Sequence, residues 1–155
     1  MKTPSFPSGP TARRRSFAAA AAAFAAAVLP ARAAPSPTAA NKPNKVVMQV
    51  SDADPHKWTL ALSNAYNVQN GVGADGVDLE IVVYGPGIGM LKSGSPVADR
   101  VASAMKSGIR VLACENTMNA QKLAQSDMLP NIGYVPAGVV ELMQRQQQGY
   151  AYIRP

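Results

Sequence analysis

Apolar residues along this chain alternate between short runs at strand spacing and longer stretches at helical spacing. The short runs are rich in Val and Ile and are bounded by polar residues, Gly or Pro, which is typical of strands. They predict five strands, at 45–51, 77–85, 109–114, 133–135 and 150–154. The second run alternates at first and is continuously apolar afterwards, which predicts a strand that passes from the sheet edge into the core.

Helices are predicted between these strands from the periodicity of the apolar residues and from start and stop signals. Asp54 lies where an N-cap belongs, Pro55 follows at the first helical position, and Gly71 and Gly73 end the first helix. Three more helices are expected, from Ser95-Pro96 to Gly108, over 116–125 with a cap at Asn116 or Thr117, and from Pro136 to about residue 148.

Strands that alternate with helices of this length form a parallel sheet, because parallel neighbours need a crossover connection. We therefore expect an α/β fold, a small open three-layer sandwich of about five mostly parallel strands with helices on both faces. Ligands of such sheets bind outside the carboxyl ends of the strands. The loops that follow the first three predicted strands leave such ends, and they carry the only His, a Gly-rich turn and the only Cys.

The first 33 residues have the layout of a secretory signal peptide. Arg13, Arg14 and Arg15 precede an alanine-rich apolar stretch, and Ala31-Arg32-Ala33 is a small-residue cleavage pattern. The sequence Arg14-Arg15-Ser16-Phe17 favours twin-arginine export over the ordinary secretory route. The apolar stretch is shorter than the about 20 clearly apolar residues that span a bilayer.

Cleavage near Ala33 is therefore expected, and with it a periplasmic location and no membrane span in the mature form. A small, polar, proline-bearing segment over 34–44 is predicted to be a flexible leader, and 45–155 to be the folded domain. The whole chain has a net charge of +6, but five basic residues and no acidic ones lie before residue 34. Ten basic and nine acidic residues then remain, a net charge of +1, so we expect no nucleic-acid partner.

Cys114 is the only cysteine, and it ends an apolar strand two residues before the predicted helix cap. Unpaired backbone N–H groups at such a place can stabilise a thiolate and lower the pKa of the thiol. A single cysteine in an oxidising compartment stays free, becomes a persulfide or pairs with another molecule. The alternative is an inert cysteine that packs as a small apolar residue. The residues alone leave both interpretations open.

His56, at the second position of the first helix, is a candidate base for Cys114, and its alternative is a solvated helix-start residue. One His and one Cys do not reach the usual ligand count of a zinc site. Asp52, Asp54 and Glu115 are a weak set for a hard cation, because capping already accounts for Asp54. We expect neither a metal nor a cofactor.

The Gly-rich turn places Gly85, Gly87 and Gly89 in a G-x-G-x-G pattern. Met90 stands where a dinucleotide-binding fingerprint needs Gly, and no Walker lysine follows. We expect a mobile turn whose backbone approaches a ligand or a neighbouring subunit. The C-terminal stretch over 138–155 combines a helix that has an apolar and a Gln-rich face with a strand in which Tyr150 and Tyr152 point the same way. This pattern favours a subunit contact, and the alternative is a helix that packs on the sheet with a polar outer face.

Four segments, VVMQVSDADPHKWTLALSNAYNVQ, VDLEIVVYGPGIGMLK, VLACENTM and VPAGVVELMQRQQQGYAYIRP, resemble the exported branch of the DsrE/DsrF-like family, in the DsrEFH-like superfamily. The resemblance implies a three-layer α/β fold and homo-oligomers, often trimers or hexamers. It also implies sulfur relay, in which one cysteine carries a persulfide and passes its sulfur to a partner. Cys114 matches a family cysteine position, whereas His56 matches no family catalytic motif.

The leading hypothesis is therefore a periplasmic, homo-oligomeric persulfide carrier that acts through Cys114, at most a sulfurtransferase-type relay. Its partners would be sulfur-donor or sulfur-acceptor proteins. The groups expected to bind the charged sulfur or shape the pocket are Asn116, Thr117, Met118, Gly85, Gly87 and Gly89. The alternative is a non-enzymatic, oligomeric small-ligand-binding or scaffold module with an inert cysteine.

Overall fold

The computed structural model describes residues 42–155. The strands within them are β1 Asn44–Val50, β2 Val77–Val83, β3 Arg110–Cys114, β4 Gly133–Val135 and β5 Ala151–Ile153. The α-helices are α1 Pro55–Val72, α2 Ala98–Lys106, α3 Glu115–Ala120 and α4 Gly138–Gln147. The predicted signal peptide, 1–33, and most of the predicted leader, 34–44, lie outside the described residues.

The five strands form one sheet in the order β4-β3-β2-β1-β5, and every neighbouring pair is parallel. The predicted α/β class with a parallel sheet is confirmed. From β1 to β4 the chain moves in one direction across the sheet, and it then returns past β1 to place β5 at the opposite edge. Because crossovers between parallel strands are right-handed, this reversal places α4 on the opposite face from the earlier helices.

The buried side chains confirm helices on both faces. The larger cluster packs α1 and α2 against alternate strand residues, among them Met48, Ile81 and Val111. The smaller cluster lies on the other face, where Leu142 of α4 packs against Val47 and Val82. The smaller cluster contains only four buried residues, so α4 makes few apolar contacts with the sheet.

The first helix begins as its sequence predicts. The Asp54 side chain accepts a hydrogen bond from the His56 N–H at 2.8 Å, and Pro55 is the first helical residue. The apolar stripe of this helix is buried, together with one polar residue at the same spacing, namely Trp58, Leu62, Ala65 and Gln69. The helix ends before Gly73, whose φ of 81° is one that glycine adopts without strain.

Several predicted details of the fold are wrong. β2 lies at the centre of the sheet, and Glu80, which gave it the alternation of an edge strand, is fully buried in ion pairs. α2 begins at Ala98 rather than at Ser95-Pro96, because a turn closed by a 3.1 Å hydrogen bond from the Ala98 N–H to the Ser95 carbonyl precedes it. The Gly-rich turn predicted after β2 contains a 3₁₀ helix, Gly85–Leu91, most of whose residues are buried or half-buried.

Across residues 42–155, the helices are too short or too polar to pass through a bilayer.

Candidate functional site

The reversal of chain direction makes the carboxyl ends of β3 and β4 the position at which open α/β sheets usually bind ligands. The helix after β3 packs on one face of the sheet, where its residue Met118 joins the larger buried cluster. The helix after β4 is α4, which packs on the other face. Neighbouring strands whose connections leave in opposite directions create the usual ligand crevice of open α/β sheets. Cys114 is the last residue of β3 and therefore lies at this position.

Cys114 is itself the N-cap residue of α3, with φ −80° and ψ 115°. The prediction of a cap at Asn116 or Thr117 is therefore wrong by two or three residues. The helix begins directly after the strand, and the Asn116 N–H donates to the Pro136 carbonyl oxygen at 3.1 Å. This contact joins the start of α3 to the segment that follows β4.

The Cys114 sulfur is surrounded by hydrogen-bond donors from two helices. The Gly138 N–H, at the first residue of α4, donates to Sγ across 3.2 Å. From α3, the Thr117 hydroxyl and the N–H groups of Thr117 and Asn116 also face the sulfur. The Asn116 N–H is shared with the Pro136 carbonyl oxygen, and the well-aligned hydrogen bond to Sγ is the one from the Gly138 N–H.

Thr117 links the sulfur to the Gly-rich segment. Its Oγ1 accepts a hydrogen bond from the Gly85 N–H at 2.9 Å. With a lone pair of Oγ1 occupied in this way, the hydroxyl hydrogen is free to point at the Cys114 sulfur. The Gly85 carbonyl oxygen in turn accepts from the Gln121 side chain at 3.3 Å.

These donors change the acidity of the thiol. Burial on its own raises the pKa of Cys114, but the hydrogen bonds from the Thr117 hydroxyl and from the Gly138, Thr117 and Asn116 N–H groups outweigh it. The resulting pKa lies below the ordinary value for cysteine, because the donors stabilise the charged form. The donors of Asn116, Thr117 and Gly138 thus form a cradle around Sγ that favours its charged form.

The cradle is covered rather than open. Cys114 is only 5 % exposed. A cavity of about 340 Å³ lies along the outer side of α3 and is lined by Glu115, Met118 and Asn119, but not by Cys114. The thiol thus combines an acidified sulfur with little solvent contact.

Gly138 is the functional residue that sequence reasoning missed. A side chain at this position would place its Cβ 3.1 Å from Cβ of Tyr84 on the neighbouring strand end. The absence of that side chain lets α4 approach the sheet closely enough for its first N–H to reach Sγ. No signal in the sequence marks this contact, since Gly138 lies 24 residues after Cys114.

Of the three glycines in the Gly-rich segment, Gly87 and Gly89 pack against other parts of the same chain and do not contact the Cys114 site. A Cβ at Gly87 would lie 2.6 Å from the Val50 carbonyl oxygen, and one at Gly89 would lie 3.0 Å from the Trp58 ring. These glycines allow the 3₁₀ helix to lie against the end of β1 and against α1. Only Gly85 of the three contacts the Cys114 site, through Thr117.

His56 is not brought to the sulfur. It opens α1, which follows β1, and β1 lies two strands from β3, or about 10 Å across the sheet. His56 is exposed, and its backbone N–H donates the hydrogen bond that completes the Asp54 cap. Among residues 42–155, no group of three or more His, Cys, Asp and Glu side chains is arranged to hold a metal ion.

The chain has relatives in sequence and in structure. A family model described as the DsrE/DsrF-like family matches residues 5–155. A solved protein of unknown function, MTH1491 from Methanobacterium thermoautotrophicum, is 31% identical, with a TM-score of 0.69 over 72% of this chain and 99% of that one. A second, BT1422 from Bacteroides thetaiotaomicron, is 15% identical, with a TM-score of 0.59 over 72% of this chain and 95% of that one, and indicates the fold alone. No curated protein matches the chain.

Proposed function

Because the chain belongs to the DsrE/DsrF-like family, we propose that it carries sulfane sulfur as a persulfide on Cys114. The observation that supports this most is the convergence of donors from α3 and α4 on one sulfur atom. A thiolate is the form of cysteine that attacks sulfur, and donors that stabilise a thiolate also suit the charged outer sulfur of a persulfide.

The proposed reaction is an exchange at sulfur without net oxidation. The Cys114 thiolate attacks the outer sulfur of a sulfane donor such as thiosulfate. A bond forms between Sγ and that sulfur, the S–S bond of thiosulfate breaks, and its electron pair leaves with sulfite. In the second step an acceptor thiolate attacks the outer sulfur, and Cys114 leaves as a thiolate. A lowered pKa assists this departure, since more acidic thiols leave faster.

The acceptor must be another molecule. Cys114 is the only cysteine of the chain, so a persulfide on it cannot be resolved into an internal disulfide. The loaded sulfur is therefore transferred to the thiol of a second molecule, which has to reach it at the carboxyl ends of β3 and β4. The partner we propose is a donor or acceptor protein that presents a single reactive sulfur.

A second candidate function is favoured by one observation, the 5 % exposure of Cys114. In that case the cysteine is inert, and the domain is a binding or scaffold module. The two candidates differ in whether reagents reach the sulfur in the folded state, and this difference can be measured directly.

Alkylation of the native protein with iodoacetamide across a pH series decides between them. We expect the rate to reach half its maximum at a pH below about 8.5, the ordinary pKa of a free thiol. Denatured protein is the matched reference, because its only thiol is the same residue without the cradle. Thr117→Val, which removes one donor at nearly constant volume, should move the native curve to higher pH. A native protein that reacts only after denaturant is added would support the inert alternative.

We also propose that the domain forms homo-oligomers, trimers or hexamers, through the outer side of α4. Three apolar residues there are exposed, namely Val139, Val140 and Met143, at 58 %, 42 % and 50 %. Tyr152 of the edge strand β5 is also exposed, although its hydroxyl donates to Gln49 at 2.6 Å. Grouped apolar and aromatic residues on one surface are typical of subunit contacts.

Export to the periplasm is proposed from the N-terminal sequence. The arginine pair at 14 and 15, the alanine-rich stretch and the Ala31-Arg32-Ala33 pattern support it. A single cysteine is also compatible with an oxidising compartment. Disulfides form there, but this chain has no second cysteine with which Cys114 could form an internal one.

Native mass spectrometry of the protein isolated from the periplasmic fraction tests both proposals in one spectrum. The subunit mass is expected to correspond to a chain that begins at Ala34, and the assembly mass to three or six such chains. A full-length subunit mass would contradict export with cleavage, and a monomer would contradict the assembly. Val139→Lys, which places a charge on the exposed side of α4, is expected to dissociate the assembly.

A further inference from the structure

A buried carboxylate lies under α4, on the same face of the sheet as Cys114. Glu80, in the central strand β2, has no solvent exposure. Its Oε2 lies 2.7 Å from Arg110 Nη1 of β3 and 3.0 Å from Arg145 Nη2 of α4. Neither contact is a well-aligned hydrogen bond to Oε2, but Arg145 Nε donates to Oε1 at 3.2 Å. Burial raises the pKa of the Glu80 carboxyl, and the two guanidinium groups oppose that effect.

Arg145 joins this carboxylate to the last turns of α4. Its Nε also lies 2.7 Å from Glu141, one turn earlier on the same helix, and its guanidinium lies 5.3 Å from the centre of the Tyr150 ring. The guanidinium group is therefore held in one place by partners on the helix and on the sheet. Because Glu80 belongs to the central strand, this contact fixes the helix relative to the sheet.

Helix α4 has few other attachments to the sheet. Gly138 and Leu142 are its buried residues, and Val139, Val140 and Met143 face outward. Gly138 contacts Tyr84 and donates to Cys114 at the first turn, whereas Arg145 binds Glu80 two turns later. The helix is thus held near both ends, and the contact at one end is the donor to the sulfur.

We propose that Glu80 and Arg145 are positioning residues, which hold α4 so that the Gly138 N–H points at the Cys114 sulfur. Without the ion pair, α4 keeps Leu142 as its main anchor and can shift or tilt on the sheet. A shift of the helix start by a fraction of an ångström lengthens the 3.2 Å contact between Gly138 and Sγ and weakens it. The inference rests on the proposed role of Cys114 as the reacting thiol.

Glu80→Gln distinguishes positioning from simple charge. Removing a negative charge favours the thiolate even at a distance, here about 13 Å along β3, so a pure charge effect makes Cys114 slightly more acidic. Loss of positioning makes Cys114 less acidic instead, because the thiolate loses the hydrogen bond from the Gly138 N–H. We expect Glu80→Gln to make the thiol less acidic and its native alkylation at neutral pH roughly tenfold slower. The ultraviolet absorbance of the thiolate, followed as pH is raised, is the readout.

Two further variants complete the test. Arg145→Lys keeps the positive charge but loses the planar fork that binds two carboxylates, so we expect the same direction of change. If Glu80→Gln fails to fold, Arg145→Lys is the variant that tests whether the ion pair positions the Gly138 N–H. Arg110→Gln is the matched control, because Arg110 binds Glu80 and Asp78 from β3 rather than from α4. We expect it to change the acidity of Cys114 less than Arg145→Lys does, although it removes a charge.

The proposal is overturned if Glu80→Gln makes the thiol more acidic, or leaves it unchanged, in a folded protein. It is also overturned if Arg110→Gln shifts the titration as far as the α4 variant. Persulfide loading is a separate measurement, so the carrier function can fail while the positioning effect is observed, and the reverse.

Discussion

Gly87→Ala is expected to lower the free energy of unfolding by about 3 kcal/mol. The added methyl group would lie 2.6 Å from the Val50 carbonyl oxygen and 3.0 Å from the Ser51 Cα, closer than these atoms can approach. Both neighbours are backbone atoms at the end of β1, so no side chain can turn aside. The Gly87 N–H also donates to the Ser51 carbonyl oxygen at 3.0 Å, which ties the segment to the same place. Urea unfolding of both proteins measures the difference.

Gly94→Ala is the matched control for this substitution. Gly94 follows the 3₁₀ helix, its φ is not in the left-handed region, and no atom lies within 4 Å of the position that its Cβ would occupy. The same chemical change there should alter stability by less than about 0.5 kcal/mol. Equal stabilities of the two variants would contradict the close approach at Gly87. They would favour the mobile, ligand-facing turn that the sequence predicts.

The regular elements of this fold can be predicted from the sequence, because their signals are local. The Asp54-Pro55 start and the spacing of Trp58, Leu62 and Ala65 specify α1 without knowledge of the rest of the chain. The alternation of strands with helices then predicts the parallel sheet. The predicted starts of α2, α3 and α4 are wrong by one to three residues, since turns and long-range backbone contacts at these places compete with local preference.

The parts that could not be predicted depend on contacts between distant residues. A charged residue in a strand suggests a solvent-facing position, and only the approach of Arg110 and Arg145 makes burial of Glu80 tolerable. The sequence predicts the position of Cys114 at a strand end, but the N–H that donates to its sulfur at 3.2 Å belongs to a helix 24 residues later. The hydrogen bond from Gly138 to Cys114 depends on how α4 is placed on the sheet, and no local sequence pattern predicts that placement.

Cys114→Ser is expected to abolish persulfide loading completely. Serine keeps the size and the hydrogen-bonding capacity of the side chain, so the donors from Gly138 and Thr117 keep a partner and the fold should persist. The hydroxyl, however, is not ionised at neutral pH and forms no stable bond to sulfane sulfur. Because the chain contains one cysteine, no other residue can substitute for it as the carrier. Circular dichroism of the variant checks that the loss is not a loss of structure.

The most direct measurement is the intact mass of the folded protein after exposure to thiosulfate or polysulfide and removal of the excess. The wild-type chain is expected to gain about 32 Da for each sulfur atom bound, and to lose the gain on reduction. The Cys114→Ser chain is expected to keep its original mass. A wild-type chain that gains no mass under these conditions, while its cysteine is intact and the fold is native, would contradict the persulfide carrier.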